Sequence, residues 1–545
     1  MLSFFKKIYL NLTSVEKKLL LIFSLSLLIS VFLLVFNFLK NSTIEVPKSG
    51  GEIKIGVVGQ PENLNPILAK SNADKNLVKL LFAPLSKLAD KIEPISDSNL
   101  WRLRLKENIF WSDGKKITSD DIIFTILKIK EAQNESDFYS FWRGIEANRI
   151  SELEVQFNLG EKYSFFKEVL DNFYIAPKHI FADLPILNWH LSEYNFKPIS
   201  NGFYKLDSIN IEKNGFISNA LLKPNEFYLE QKPYTQLNIK FYPDKENLLK
   251  AFNTGAIDVL ALDDFENLNK IKRPYNLNLF PVSNYYAVFI NQSQNLALKE
   301  IEVRKAMSLS INRDKLVSDV SNNYFAPVFG PLQWFSQAKN LKDEFKPDEA
   351  SKILEDAGWK LNDQGVREKN IKNNIIQLNF KLIVPDIDFL LKTADFLAEN
   401  WSKIGIKINI LKINPKDLLS NNILNRDYEL ILFGNAIYPK FNLYPFWHSA
   451  FIFYPGLNLS LYKNDLVDKS LVDLYQKTNI NQEETILNIL QNIKNDYPAI
   501  FLYQPKILLI SSKNIYGINE FLIYNFEDIF SNAKDWYLKT KRIFK

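Results

Sequence analysis

The chain has 545 residues, 46% of them hydrophobic, which is more than one hydrophobic core usually supports, so we expect two or three domains. None of the residues is cysteine, which excludes disulfides, thiolate metal sites, a cysteine nucleophile and a lipid-modified cysteine. The formal net charge is +5, and residues 1–48, with six Lys and two Glu, carry most of it, so the rest of the chain is nearly neutral and does not favour nucleic acid as a partner.

An uncharged run of 21 residues, 19–39, predicts a transmembrane anchor, because a helix of this length crosses a hydrocarbon core of ~30 Å. Four lysines and one glutamate precede the run. This asymmetry predicts a cytoplasmic tail at 1–18 and the bulk of the chain outside. Within the tail, 2–12 forms either a short interfacial helix or a flexible segment. A cleaved signal peptide is the alternative to the anchor.

After a polar linker predicted at 40–49, folded sequence begins with the alternating run 52–58, which is typical of a strand. A second strand is predicted at 101–105 and a turn at 111–114. Thr118 and Asp121 have the spacing of a capping box, which predicts a helix that starts there.

Residues 347–434 alternate between two periodicities. A helix is predicted from Pro347 to Gly358, a strand from Ile376 to Leu382, and a helix that ends at Gly405. A strand at 406–410, a helix at 415–425 and a strand at 428–433 follow. This βαβ series predicts a largely parallel sheet, with a ligand beyond the carboxyl ends of its strands.

The loop after Phe433 is therefore the first candidate site. It contains eight aromatic residues between 438 and 454, among them Tyr438 and Trp447. Aromatic side chains in a loop can hold an extended ligand by area and stacking. The alternative is that most of them pack beneath the loop as a small core of their own.

Catalytic interpretations find little support. The chain has no G-x-S-x-G motif, no glycine-rich phosphate loop and no H-E-x-x-H motif. Its three histidines, at 179, 190 and 448, are widely spaced, so neither a metal site nor any other cofactor is expected. The sequence therefore favours a protein that is not an enzyme.

Six motifs in order carry a resemblance to a known family. They are 50–56 (GGEIKIG) with 61–66 (PENLNP), 105–114 (LKENIFWSDG) with 117–121 (ITSDD), 198–204 (PISNGFY), 255–258 (GAID), 303–306 (VRKA) with 311–313 (INR), and 357–359 (AGW). In this order the chain resembles the family 5 extracellular solute-binding proteins of ABC importers, whose members include oligopeptide, dipeptide and nickel binders.

The resemblance implies an α/β, two-lobed periplasmic-binding-protein-like fold of type II, with an extra small domain in the first lobe. Lobe I is expected at 50–90, 198–285 and 500–545, the inserted domain at 91–197, and lobe II at 286–499. Two crossing strands, near 283–291 and 499–510, are expected to form a hinge. The lobes then close around a solute, and the closed form docks on the membrane permease.

The resemblance also implies a monomeric ectodomain that takes a peptide or other small solute to ABC permease and ATPase subunits. Peptide binders of this family place an Asp after the strand that matches 428–433, whereas residues 430–464 here contain no Asp or Glu. Asn435 stands at about that place and offers no charge to a peptide ammonium. Blocked peptides, other oligomers or a ligand bound by aromatic side chains and backbone therefore remain open. The predicted solute contacts are Asn435, Tyr438, Trp447, Trp334 and Asn201. A tethered sensor or envelope scaffold, and a secreted hydrolase, remain the alternatives.

Overall fold

The computed structural model describes residues 12–96, 98–371 and 373–544. These residues form a mixed α/β protein with two large sheets, each in its own lobe. The predicted fold class is therefore confirmed. The part of the predicted cytoplasmic tail up to residue 11, including most of 2–12, lies outside the described residues.

The sheet of lobe I has seven strands. Glu52–Val58, the strand predicted from its alternation, lies inside this sheet and pairs in parallel with strands on both sides. From one edge to the other, the strands are Tyr275–Pro281, Lys506–Ser512, Val259–Leu262, Glu52–Val58, Gln236–Tyr242, Ile217–Pro224 and Tyr204–Ile211. The helices of this lobe include Asn72–Leu81, Leu85–Leu88 and Lys245–Asn253, with 3₁₀ turns at Glu266–Lys270, Phe526–Phe530 and Ala533–Asp535.

The inserted domain packs on lobe I and shares one hydrophobic core with it. Its sheet consists of Ala89–Ser96, Leu100–Leu105, Glu154–Asn158 and Glu146–Arg149 in that order. The helix Ser119–Ala132 begins with the capping box of Thr118 and Asp121, as predicted. Shorter helical segments follow at Gln133–Glu135, Tyr139–Trp142, Phe166–Val169, Leu170–Asn172, Lys178–Phe181, Ile186–Leu191 and Glu193–Asn195.

Lobe II is built on a six-stranded sheet. Its strands, in order, are Ala326–Pro327, Ala499–Gln504, Asn284–Ile290, Leu430–Ala436, Asn379–Pro385 and Lys407–Ile413. Asn379–Pro385 pairs in parallel with both of its neighbours, which confirms the predicted βαβ series. The other three pairings of this sheet are antiparallel, so the prediction of a largely parallel sheet is wrong: strands that enter from the lobe crossings complete the sheet in the opposite direction. The helices are Leu296–Lys299, Ile301–Leu309, Arg313–Ser321, Pro347–Asp356, Asp388–Ser402, Pro415–Leu418, Tyr444–Trp447, Asp465–Gln476 and Gln482–Asp496.

Two details of lobe II differ from the sequence prediction. The single strand expected from Ile376 to Leu382 is divided at Leu378, whose N–H donates to the Arg367 carbonyl at 2.8 Å. The first part, Asn374–Gln377, therefore belongs to a separate small sheet with Arg367–Ile371 and Lys360–Leu361. The helix expected at 415–425 is a single α-turn followed by the π-helical turn Leu419–Ile423.

Two strand-to-strand crossings join the lobes. Tyr275–Pro281 of lobe I leads into Asn284–Ile290 of lobe II, and Ala499–Gln504 returns to Lys506–Ser512. The chain therefore passes between the lobes at 282–283 and at Pro505.

The crossings are hydrogen-bonded to each other. The Gln504 side-chain amide donates to the Val282 carbonyl at 2.7 Å, and the Val282 N–H donates to the Pro505 carbonyl at 3.3 Å. We expect a rotation between the lobes to pivot about this paired region, because a few element-terminal residues absorb the backbone change in a hinge.

Ahead of the lobes lies one long apolar helix, Ser14–Ser42, capped by Thr13 and Glu16. It is long and apolar enough to span a membrane, and its most apolar window is exposed throughout. The segment expected as a linker contains the end of this helix and the strand Thr43–Lys48. That strand pairs antiparallel with Lys539–Phe544.

Candidate functional site

The two lobes are in contact across their cleft, through the inserted domain. Phe165 of that domain is only 2% exposed and belongs to the hydrophobic core of lobe II. Ser164 donates through its N–H to the Tyr475 carbonyl at 2.8 Å and through its hydroxyl to the Leu474 carbonyl at 2.5 Å. The lobes are therefore closed on each other.

A cavity of about 420 Å³ lies where lobe I, the inserted domain and lobe II meet. We call it the interlobe cavity. Six of its lining residues are aromatic, so it offers large apolar surfaces with polar groups at intervals, as small-molecule sites do. It is lined by Pro66, Ala69, Lys75, Val78, Lys79, Asp137, Phe138, Phe141, Trp142, Tyr163, Val169, Asn172, Tyr174, Tyr438, Pro439, Asn525 and Glu527.

A smaller space of about 110 Å³, the side chamber, shares five lining residues with the interlobe cavity. Its other lining residues are mostly charged or polar: Glu168, Asp171, Lys440, Tyr524 and Asp528. Together the two spaces are bordered by five carboxylates and three lysines. This excess of negative charge favours a ligand that carries a cationic group.

Lys79 borders both spaces. It lies on the helix Asn72–Leu81 and forms a buried ion pair with Asp528, whose other carboxylate oxygen accepts the N–H groups of Tyr524 and Asn525 at 2.8 Å each. Burial lowers the pKa of Lys79 to about 8. The Lys79 amine is therefore already held by the protein, and its pKa is sensitive to any charge that enters the cavity.

One helical turn before Lys79, Lys75 also lines the interlobe cavity and forms a more exposed ion pair. Lys75 Nζ lies 3.0 Å from Asp137 Oδ2 and joins lobe I to the inserted domain. The side chain of Asp137 is 56% exposed, so the pair contributes little to stability. A ligand carboxylate or ammonium can compete for either partner at small cost.

Glu168 borders the side chamber, and one of its two carboxylate oxygens stands without a partner. Its Oε2 is buried and has no hydrogen-bond partner among the described residues. Burial raises the pKa of Glu168 above its ordinary value. A buried acceptor without a donor costs free energy, so a ligand ammonium placed here would form a charge-assisted hydrogen bond that the unliganded protein lacks.

Of the five residues predicted to contact the solute, Tyr438 lines both spaces. It lies in lobe II, and its hydroxyl donates to the Glu168 carbonyl in the inserted domain at 3.3 Å. Its ring packs edge-on against Tyr524 of lobe I, with centroids 5.3 Å apart. Burial raises the pKa of its phenol, so the hydroxyl stays protonated and acts as a donor.

Asn435 and Trp447 lie inside lobe II and are not among the residues that line the two spaces. The Asn435 side chain is buried, and its amide donates to the Tyr285 hydroxyl at 3.1 Å. Trp447 is 1% exposed and packs near Phe289 and Phe501 in the core. Trp447 therefore follows the alternative hypothesis, in which aromatic residues of this loop pack in a core instead of facing a ligand.

Trp334 and Asn201 are also not among the residues that line the two spaces. The indole N–H of Trp334 donates to the Lys440 carbonyl at 3.3 Å, next to the loop of Tyr438. Asn201 is 2% exposed and accepts the Ala83 N–H at 2.9 Å within lobe I. Both side chains hold backbone segments in place.

Sequence reasoning missed the wall that the inserted domain contributes. Phe138, Phe141, Trp142 and Tyr163 line the interlobe cavity, and Trp142 Nε1 is a buried donor with no partner in the described parts of the chain. The signal available in the sequence was the dense aromatic content of 138–142. The sequence around Glu168 gave no such signal, because a glutamate in a short helix is typical of a solvent-exposed position.

Comparison with known proteins identifies the family of the chain. The profile of bacterial extracellular solute-binding proteins, family 5 (middle), matches residues 83–453. The chain belongs to this family. The resemblance drawn from the six sequence motifs is thereby confirmed, and the family places the chain among solute-binding proteins rather than enzymes.

Individual relatives match most of the chain. The oligopeptide-binding protein AppA of Bacillus subtilis is 26% identical, covering 96% of this chain and 99% of AppA. The crystal structure of AppA with a nonapeptide has a TM-score of 0.59 at 24% identity, covering 91% of this chain. The ABC transporter substrate-binding protein CtaP of Listeria monocytogenes has a TM-score of 0.70 at 21% identity, covering 90% of this chain and 100% of its own.

Proposed function

We propose that this protein is the membrane-anchored, extracellular substrate-binding subunit of an ABC importer and that it captures short peptides between its two lobes. The interlobe cavity carries this proposal. It is enclosed by groups from both lobes and the inserted domain, and closure about a hinge is how such a site retains its solute. The peptide-binding relatives support the ligand class.

The lining supports a peptide with a free amino terminus. The carboxylate of Glu168, whose Oε2 has no partner among the described residues, lies beside Asp171 in the side chamber and supplies the negative charge that residues 430–464 lack. The aromatic wall of the interlobe cavity then receives side chains by area and stacking rather than by charge. The acid that pairs with the ammonium comes from the inserted domain instead of lobe II.

The size of the site supports a short ligand. A cavity of about 420 Å³ with a side chamber of about 110 Å³ lies toward the lower end of the range for small-molecule pockets, ~300–1,000 Å³. Peptides of a few residues are therefore the proposed substrates.

The helix Ser14–Ser42 supports the anchor, with its lysine-rich flank inside and the lobes outside. The closed form also supports delivery to a permease. Because bound solute favours the closed form, a permease that binds only closed lobes distinguishes loaded protein from empty protein.

Calorimetric titration tests the ligand class. The full-length protein in detergent or nanodiscs is titrated with peptide pools of two to six residues, and with the same pools acetylated at the amino terminus. We expect binding of the free peptides and a loss of about ten-fold or more on acetylation. A folded protein that binds none of the pools would overturn the peptide assignment, and co-purification without permease or ATPase subunits would count against delivery.

A further inference from the structure

The ribbon formed by Thr43–Lys48 and Lys539–Phe544 connects the apolar helix to lobe I. The helix ends at Ser42 and the ribbon starts at the next residue. At its other end, the Gly50 N–H donates to the Tyr234 carbonyl of lobe I at 2.7 Å. The ribbon is therefore a structural joint between the proposed anchor and the binding domain.

This ribbon has little protein to cover it. It is a sheet of two strands, and every residue of Lys539–Phe544 is exposed. A two-stranded sheet without a covering layer is only marginally stable in water. A further surface that covers the ribbon would therefore stabilise it.

The order of side chains along the ribbon matches a bilayer surface. The rungs next to the helix pair Thr43 with Phe544 and Ile44 with Ile543. Ile44 is 44%, Ile543 41% and Phe544 65% exposed. Exposed apolar side chains are thus concentrated at the end of the ribbon where the helix would leave the hydrocarbon.

The lengths agree with this placement. The uncharged run 19–39 spans ~31 Å as a helix, about the thickness of the hydrocarbon core. Residues 40–42 extend it by ~4–5 Å, into a headgroup layer that is ~5–7 Å deep. The apolar rungs therefore begin within the headgroup layer, and the rung of Lys48 and Lys539 lies ~17 Å farther along the ribbon.

Basic side chains follow the apolar rungs. The two strands carry four basic residues, Lys48, Lys539, Lys541 and Arg542, and one acidic residue, Glu45. Glu45 is held by Arg542 at 3.4 Å. A cluster of basic residues beside a membrane span attracts anionic lipid headgroups, and long basic side chains can reach sideways to them from the ribbon.

We propose that this ribbon is an interfacial element that lies on the outer surface of the bilayer, with its apolar rungs among the headgroups and its basic residues bound to anionic phospholipids. This inference rests on the anchor in the proposed function, but it is independent of the ligand.

Site-directed spin labelling tests the proposal, because the chain has no cysteine of its own. Single variants I543C in the ribbon, L28C in the helix and L229C in lobe I are labelled in the full-length protein. Each is placed in nanodiscs of phosphatidylcholine alone or with phosphatidylglycerol. Relative accessibility to oxygen and to a water-soluble nickel complex then reports the depth of each label.

We expect the labels at 28 and 543 to be immersed and the label at 229 to be in water, with deeper immersion at 543 when phosphatidylglycerol is present. The triple variant K539Q/K541Q/R542Q should lose that lipid dependence, by about five-fold in the docking equilibrium per charge removed. The control K213Q/K232Q/K272Q, which removes the same charge from exposed positions of lobe I, should keep it.

Each other outcome overturns the proposal in a distinguishable way. If the label at 543 is in water while the label at 28 is immersed, the ribbon is not interfacial and the anchor stands. If neither is immersed, the anchor falls as well. Equal immersion of the label at 543 in both lipid compositions removes the anionic headgroup as the partner. Short distances between labels at 543 on different molecules would assign the exposed strand edges to a second copy instead.

Discussion

The hydroxyl of Tyr438, in lobe II, donates to the backbone carbonyl of Glu168, in the inserted domain, at 3.3 Å. This bond crosses the cleft and lies beside the side chamber. It can form only while the lobes are closed, so it belongs to the same state that encloses the cavity. Under the proposed function, this side chain couples closure of the lobes to capture of the ligand.

Replacing Tyr438 by phenylalanine should weaken peptide binding about three- to ten-fold, because one hydrogen bond of the closed form is lost while the ring contact with Tyr524 stays. Calorimetric titration measures the change. The control is Y454F, since Tyr454 is 52% exposed on lobe II and should leave affinity unchanged. An unaltered affinity in Y438F would show that the bond does not stabilise closure.

Replacing Phe165 by alanine should shift the protein toward an open form. Phe165 is buried in the core of lobe II and is released when the lobes separate, so the cost of truncation, about 3 kcal/mol or more, falls on the closed state. Small-angle scattering should show a larger radius of gyration, and peptide affinity should fall by about a hundred-fold or more.

The matched control is F166A, one residue along. Phe166 is buried in the core shared by lobe I and the inserted domain, so its truncation should lower the free energy of unfolding without opening the lobes. If both variants changed scattering equally, Phe165 would be a general core residue rather than a closure contact.

Replacing Glu168 by glutamine should remove the preference for a free amino terminus. The charge-assisted hydrogen bond to an ammonium contributes about 1.5–3 kcal/mol, so free and acetylated peptides should become similar in affinity. E161Q, at an exposed position of the inserted domain, is the control and should keep the preference.

The affinity for free peptides should also depend on pH through Glu168. Burial raises the pKa of this carboxyl in the unliganded protein, and a ligand ammonium lowers it again, so binding releases a proton. Affinity should therefore rise with pH up to that raised pKa and level off above it. Titrations across this range should show the rise in the unchanged protein and not in E168Q.

Lys79 should give the protein a stability that rises with alkaline pH. Its pKa is about 8 when folded and 10.5 ordinarily, so between these values the unfolded chain binds more protons than the folded one. The unfavourable burial of the ammonium is present below pH 8 and is lost as pH rises toward 10.5. Urea unfolding should show this rise of stability with pH in the unchanged protein and not in K79M/D528N.

K79M alone should be less stable than K79M/D528N, because removing one partner leaves Asp528 buried without its cation, at a cost of about 3–5 kcal/mol. Equal stability of the single and double variants would mean that Asp528 finds another partner.

The strands and helices with clear local signals were predictable. Glu52–Val58 alternates, the helix Ser119–Ala132 has its capping box, and the helix Asp388–Ser402 between two parallel strands has a three- to four-residue period. Predictions failed where a distant partner decided the outcome. Leu378 bonds to Arg367 rather than continuing its strand, and no local pattern reports that choice.

The candidate site was only partly predictable, for the same reason. Tyr438 was named from an aromatic loop, yet Trp447 in the same loop is a core residue, because sequence composition does not tell which side of a loop faces the cleft. Glu168 lies about 270 residues before Tyr438 in the chain. Only the closure of one lobe on the other brings them together.

The sequence by itself determined the apolar helix, the α/β class, the solute-binding family and the absence of thiol chemistry, since these follow from composition, periodicity and motif order. The tertiary structure alone decided which walls meet around the cavity, which carboxylate oxygen there has no partner among the described residues, and that Thr43–Lys48 pairs with Lys539–Phe544. These are long-range contacts, and their residues carry no local sign of the neighbours that packing gives them.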